Sequence, residues 1–186
     1  MRMFFALPLP HSTRLRIFEA LADSRKMFPQ LKWVSKESLH VTLFFIGEIN
    51  KEQVEVLKNR MTEKEEEQEC KEFLLSYSGL STFPLRGNPR VLYTPVALGR
   101  EECIALHKVA VEISDGIVSP DRKKFIPHIT LARIKDRKTP GPELYTTPLH
   151  GKVPIDRMVL FQSVLGPSGP RYEERGRITF SDISSG

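Results

Sequence analysis

The sequence predicts a mixed helix-and-strand fold of two similar lobes with a cleft between them. One phrase is written twice, His40-Val41-Thr42-Leu43 and His128-Ile129-Thr130-Leu131, 88 residues apart. Each copy sits in an apolar, β-branched run, residues 39–46 and 125–134. Each run lies in a comparable half-unit of helices and strands, which reads as an internal pseudo-repeat.

The elements follow in order. Residues 2–7 read as a strand, and Ser12 or Thr13 is the expected N-cap of a helix over about 12–28. In that helix Leu15, Phe18, Leu21 and Ala22 recur at helical spacing. Residues 31–34 make a short strand leading to the first His-x-Thr strand, which stops near Gly47. Asn50-Lys51-Glu52-Gln53 has the form of a capping box, and Val54, Leu57 and Met61 mark the helix behind it. The acidic run 63–69 reads as its solvated end. Residues 73–80 and 90–98 are expected strands joined by a turn at Pro84, Gly87, Asn88 and Pro89. Residues 101–117 are an expected helix with Ile104, Leu106, Ala110, Ile113 and Ile117 facing inward. After the second His-x-Thr strand, 138–151 is an irregular, proline-rich crossover. Residues 153–165 and 177–180 close the chain as strands around the turn 166–170.

The 186 residues suit one compact bilobed domain, 1–186, with room for a sizeable core. A hydrophobic fraction of 40% with 27% charged residues fits a soluble globular protein. A net charge of +5 favours polyanionic partners such as RNA without requiring one. Two cysteines, Cys70 and Cys103, give neither a disulfide framework nor a zinc pattern, so a reducing, cytoplasmic setting is expected. The apolar opening is too short for a signal peptide, and no later run is long enough to span a membrane. A monomer is the default expectation. No Gly-rich phosphate loop follows a strand, and no serine stands in a Gly-x-Ser-x-Gly turn.

Side chains alternate along a strand, so His40 and Thr42 share one face about 6–7 Å apart, as do His128 and Thr130. Val41, Leu43, Ile129 and Leu131 then face a core. Two imidazoles across a cleft serve as general acid and general base near neutral pH, a pairing suited to a phosphodiester. The two threonine hydroxyls supply donors for developing charge. Arg133 would add a cation. It stands three residues after Thr130, however, so a strict strand puts it on the wrong face and a twist or bulge is required. The other histidines have plainer readings: His11 at a helix start, His107 as a half-buried structural residue, His150 in the crossover. Metal binding lacks a third ligand, since no Asp or Glu lies within two residues of either motif histidine.

With these motifs the chain resembles the two-histidine (2H) phosphoesterases, specifically the RNA 2′,3′-cyclic phosphodiesterases once described as 2′–5′ RNA ligases. The resemblance runs over nearly the whole chain. It rests on Met1–Ala6 with Pro8 and Pro10, on Trp33-Val34 with His40-Val41-Thr42-Leu43 and Phe45-Ile46-Gly47, and on Phe83-Pro84 with Pro89-Arg90-Val91-Leu92-Tyr93. It continues through Phe125-Ile126-Pro127-His128 to Arg133, then Leu160-Phe161-Gln162-Ser163, Leu165-Gly166-Pro167 and Tyr172. It implies an α+β fold of two antiparallel sheets flanked by helices, with a central cleft and pseudo-two-fold symmetry, each lobe contributing one motif strand. It implies hydrolysis of RNA 2′,3′-cyclic phosphate ends, or cyclic nucleotides, to 2′-phosphates with no metal and no cofactor. His40 would be the proton donor, His128 the acceptor, and Thr42, Thr130 and Arg133 the phosphate holders. Phe44, Tyr93 and Gln162 depart from the Lys, Trp and Arg common in relatives. The alternatives are 2′–5′ RNA ligation and a non-catalytic RNA-binding module. Phe44, Tyr93 and Phe125 are candidates for base stacking, though core packing suits most of them better. Arg86, Arg90, Arg122, Lys123 and Lys124 are candidates for phosphate contacts, with a solvated surface as the default.

Overall fold

The computed structural model describes residues 1–67, 70–119, 124–135, 140–167 and 169–182. Among them the strands run β1 (Arg2–Pro8), β2 (Lys32–Trp33), β3 (His40–Glu48), β4 (Phe73–Ser78), β5 (Ser81–Phe83), β6 (Val91–Pro95), β7 (His128–Arg133), β8 (His150–Ile155), β9 (Arg157–Gly166) and β10 (Gly169–Thr179). The helices are α1 (His11–Ala20), α2 (Ala22–Met27), α3 (Lys51–Glu66) and α4 (Arg100–Ile113). The strands form an eight-stranded sheet, ordered β10-β9-β1-β3-β7-β6-β5 with β2 on β7, and a two-stranded sheet of β4 and β8. Every paired strand is antiparallel to its neighbour.

The large sheet divides between its two motif strands. β10-β9-β1-β3 carries the first motif and β7-β6-β5, with β2, carries the second. The halves meet where Val41 pairs with Ile129, the residues that follow the two histidines. Equivalent residues paired across antiparallel strands lie on a local two-fold, so the repeat seen in the sequence is a pseudo-symmetry of the fold.

β1 sits mid-sheet and is covered on both sides: Met3 to Leu7 are all at most 2% exposed. That explains its unbroken apolar run, since a strand buried on both faces does not alternate. Behind the motif strands Val41, Leu43, Ile129 and Leu131 are buried. α4 packs there with Cys103, Leu106, Ala110 and Ile113. α3 presents Val54, Leu57 and Met61 at helical spacing, and its capping box forms as expected, with Asn50 and Gln53 bonding reciprocally. Full burial of each such aliphatic side chain stabilises by about 1.5–3 kcal/mol. α3 and α4 therefore cover one face of the sheet and leave the histidine face for the cleft.

Several expectations change. The helix expected over 12–28 starts at His11, with Pro10 at the N-cap and no side-chain cap from Ser12 or Thr13. It divides at Leu21, whose side chain is fully buried. The turn at 84–89 joins β5 to β6, a hairpin the sequence hid because β5 is three residues long. β4 pairs instead with β8 in the second sheet. The strand expected over 153–165 is two strands split at Asp156, one in each sheet. α4 ends at Ile113, and Ile104 and Ile117 are only half-buried. In the crossover, Pro142–Thr146 form a 3-10 turn, while residues 138 and 139 lie outside the described residues. The acidic stretch is not all solvated: Glu65 accepts the Thr179 backbone N–H, tying α3 to β10.

Candidate active site

The two motif strands hold their histidines by the same local device. His40 Nδ1–H donates to the Ser38 carbonyl at 2.8 Å, and His128 Nδ1–H donates to the Ile126 carbonyl at 2.7 Å. A carbonyl only accepts, so each Nδ1 carries the proton and each neutral ring presents an unprotonated Nε2. The Thr42 hydroxyl donates to His40 Nε2 at 2.8 Å. The imidazoles are near enough for charge on His128 to lower the pKa of His40.

Both motif strands also carry the same irregularity. Along β1, Pro8, Ala6 and Phe4 oppose His40, Thr42 and Phe45, so Leu43 and Phe44 occupy a single step. Along β6, Pro95, Tyr93 and Val91 oppose His128, Thr130 and Arg133, so Leu131 and Ala132 share a step. A bulge after each threonine therefore moves the fifth residue past each histidine onto the histidine face. This is the bulge that the spacing of Arg133 required. Arg133 is exposed and close enough to Tyr172 to lower its hydroxyl pKa, against the upward push of burial, the larger cause. The structure thus brings His40, Thr42, His128, Thr130 and Arg133 to one face.

Each imidazole is walled by two aromatic rings. Phe4 and Tyr172 lie 5.2 and 5.3 Å from His40, and Phe83 and Tyr93 lie 5.0 and 5.2 Å from His128, centroid to centroid. This burial is the main reason both histidines are harder to protonate than a free imidazole. His40 falls to about 4, with the Ser38 carbonyl pulling partly back and the His128 charge adding to the drop. His128 is also lowered by burial, opposed by the Ile126 carbonyl.

Of the four walls, Tyr93 was a candidate from the sequence and the other three were not legible as site residues. Phe4, Phe83 and Tyr172 reach the histidines across strand pairings that fix no local spacing in the chain. Of the expected stacking aromatics, Phe44 is buried near His107, Phe125 stacks on the His107 ring at 4.4 Å, and Tyr93 stacks on Phe83 at 4.0 Å. The exposed ring on the cleft face is Phe45, at 62%. His107 is structural, its Nδ1–H donating to the Leu43 carbonyl at 2.8 Å. Arg86, Arg90 and Lys124 are exposed, and Arg122 and Lys123 lie outside the described residues. Among the described residues no three His, Cys, Asp or Glu side chains gather in a metal-binding arrangement, and no helix is long and apolar enough to cross a membrane.

The family model "LigT like Phosphoesterase" matches residues 7–93 and 105–172, which include both motifs and most of their walls. The chain belongs to the LigT-like phosphoesterases. Relatives of this phosphoesterase include an Aquifex aeolicus RNA 2′,3′-cyclic phosphodiesterase, 36% identical over 148 residues, covering 76% of this chain and 77% of that one. A Thermus thermophilus RNA 2′,3′-cyclic phosphodiesterase is 31% identical over 187 residues, covering 92% and 86%. Among solved structures, one of a Thermus thermophilus protein superposes with a TM-score of 0.79 at 30% identity, covering 98% of this chain and 100% of that one. E. coli LigT complexed with 3′-AMP shares the fold, with a TM-score of 0.80 at 23% identity and coverage of 97% and 98%. The α+β architecture of this phosphoesterase is therefore that of the family.

Proposed function

We propose that this phosphoesterase hydrolyses RNA 2′,3′-cyclic phosphate ends to 2′-phosphates by acid–base chemistry between two histidines, without a metal. The observation that carries the reading is the duplicated strand. Two imidazoles, each fixed through Nδ1 with Nε2 left unprotonated, share one face with two threonines and one arginine. The names of the relatives support the substrate class.

In this reading a water attacks phosphorus and His128 Nε2 takes its proton. The bond from phosphorus to the ribose 3′ oxygen breaks, and that oxygen takes a proton from His40 Nε2. A 2′-phosphate and a 3′-hydroxyl result. Thr42, Thr130 and Arg133 hold the non-bridging oxygens as charge develops on them. His40 must be doubly protonated at that moment, yet burial keeps it neutral when the cleft is empty. The anionic substrate supplies the compensating charge: an anion beside an imidazole favours its charged form.

The test is incubation of an oligoribonucleotide ending in a 2′,3′-cyclic phosphate with chelator-treated protein, followed by product analysis. A 2′-phosphate formed in the presence of chelator is the expected result. No hydrolysis, or hydrolysis restored only by added metal, contradicts the reading.

A further inference from the structure

On the His40 side the cleft continues into a pocket of about 620 Å³ that the acid–base reading does not use. His40, Tyr172 and Phe161 line it, as do three guanidiniums, Arg14, Arg157 and Arg171. Its volume lies within the range of ligand sites, about 300–1,000 Å³.

The polar groups of this pocket are not all satisfied within the protein. Arg14 Nη1 donates to the Glu37 carbonyl at 2.9 Å, but its Nε is buried without a partner. Arg157 Nε is likewise buried and unpartnered, while its Nη1 pairs with Asp156. Arg171 pairs with Glu173 and is otherwise exposed. Glu37, which also lines the pocket, is exposed. Both Nε atoms are shut away from solvent, so a phosphate in the pocket meets the outer Nη edges of these side chains, and phosphate oxygens satisfy guanidinium edges well. Two rings, Phe161 and Tyr172, line the same pocket, both half-buried and both in contact with Phe4. Guanidiniums together with aromatic rings in one groove are the combination that holds single-stranded nucleic acid.

We infer that this pocket holds the RNA strand on the 5′ side of the reacting end. The terminal base lies against Phe161 and Tyr172, and the preceding backbone phosphate lies on Arg14 and Arg157. The inference rests on the proposed function. In an in-line displacement the attacking and leaving oxygens lie on opposite sides of phosphorus. With His128 serving the water and His40 the ribose oxygen, the ribose and everything attached to it sit on the His40 side. The enzyme is then built for cyclic-ended oligonucleotides rather than cyclic mononucleotides.

The test compares kcat/KM for adenosine 2′,3′-cyclic phosphate with that for a trinucleotide ending in the same group. The wild type should prefer the trinucleotide, and Arg14→Gln/Arg157→Gln should shrink that preference about tenfold. The logarithmic salt dependence of trinucleotide KM should fall by about 0.7 per lost phosphate contact. A variant that is merely misfolded loses both substrates together and leaves the ratio unchanged. Where the double variant does not fold, the single change Arg14→Gln should lower the ratio about threefold. An unchanged ratio in well-folded variants overturns the inference, as does a wild type that treats both substrates alike. If the wild type cleaves neither substrate, the proposed function fails and the inference with it.

Discussion

Phe45 and Arg133 occupy the same place in their two strands: each is the fifth residue after its histidine and is brought to the cleft face by a bulge after the threonine. The repeat is thus geometrically faithful and chemically uneven. One half offers an exposed ring and the other an exposed guanidinium, so at this matched position the second half, not the first, brings a cation to the cleft face.

From this unevenness, Arg133→Ala should lower kcat/KM about 100-fold, and Arg133→Lys should recover only part of that, because a point charge does not replace a planar fork. Phe45→Ala should leave thermal stability within about 0.5 kcal/mol, as expected for an exposed side chain. Steady-state kinetics and thermal melts check both. Full activity in Arg133→Ala would remove Arg133 from the site.

The contact between Thr42 and His40 yields a second expectation. Thr42→Val keeps the shape and removes the hydroxyl that donates to Nε2 in the empty cleft and is assigned to a phosphate oxygen in the reaction, so turnover should fall about tenfold or more, while Thr42→Ser should retain most of it. Equal loss in both would assign Thr42 a packing role.

How much of the site was legible beforehand follows from what each contact depends on. His40 and Thr42, like His128 and Thr130, lie two apart in sequence, and the period of a strand alone places each pair on one face. Arg133 was legible as a candidate but its face was not, because a bulge is a property of the strand pair. Phe4 comes beside His40 through the pairing of β1 with β3, and Tyr172 through a strand at the far end of the chain. Nothing local encodes those pairings. The fold shows the same limit. The capping box of α3 was readable, whereas the short β5 and the strand break at Asp156 are imposed by tertiary pairing.

Burial of the histidines makes a pH-dependent prediction for stability. The folded pKa of His40 is about 4 against an ordinary 6.5, so between these values the unfolded chain binds a proton that the folded one does not. Stability then rises with pH across that window and is lost as pH falls from about 6.5 toward 4, by on the order of 2–3 kcal/mol for this group. Denaturant titrations at pH 4.5 and 7 should show the loss, and His40→Gln should reduce it. An identical loss in the variant would assign the pH dependence elsewhere.

The same burial can be followed directly by NMR titration. The His40 imidazole should titrate near 4 in the free protein, and Tyr172→Ala should raise that value toward 6.5 by letting water in. Inorganic phosphate should also raise it. A normal value in the free wild type would contradict the burial account.

The division of labour between the histidines is tested most directly by changing the leaving group. A 3′-deoxynucleoside 2′-(4-nitrophenyl phosphate) expels nitrophenolate, which needs no proton. On the cyclic phosphate, His40→Ala and His128→Ala should each lose at least about 100-fold, the usual span for a general acid or base. On the nitrophenyl ester, His40→Ala should recover to within about tenfold of the wild type while His128→Ala stays impaired. Recovery of His128→Ala instead, or of neither variant, would contradict the assignment of His40 as acid and His128 as base.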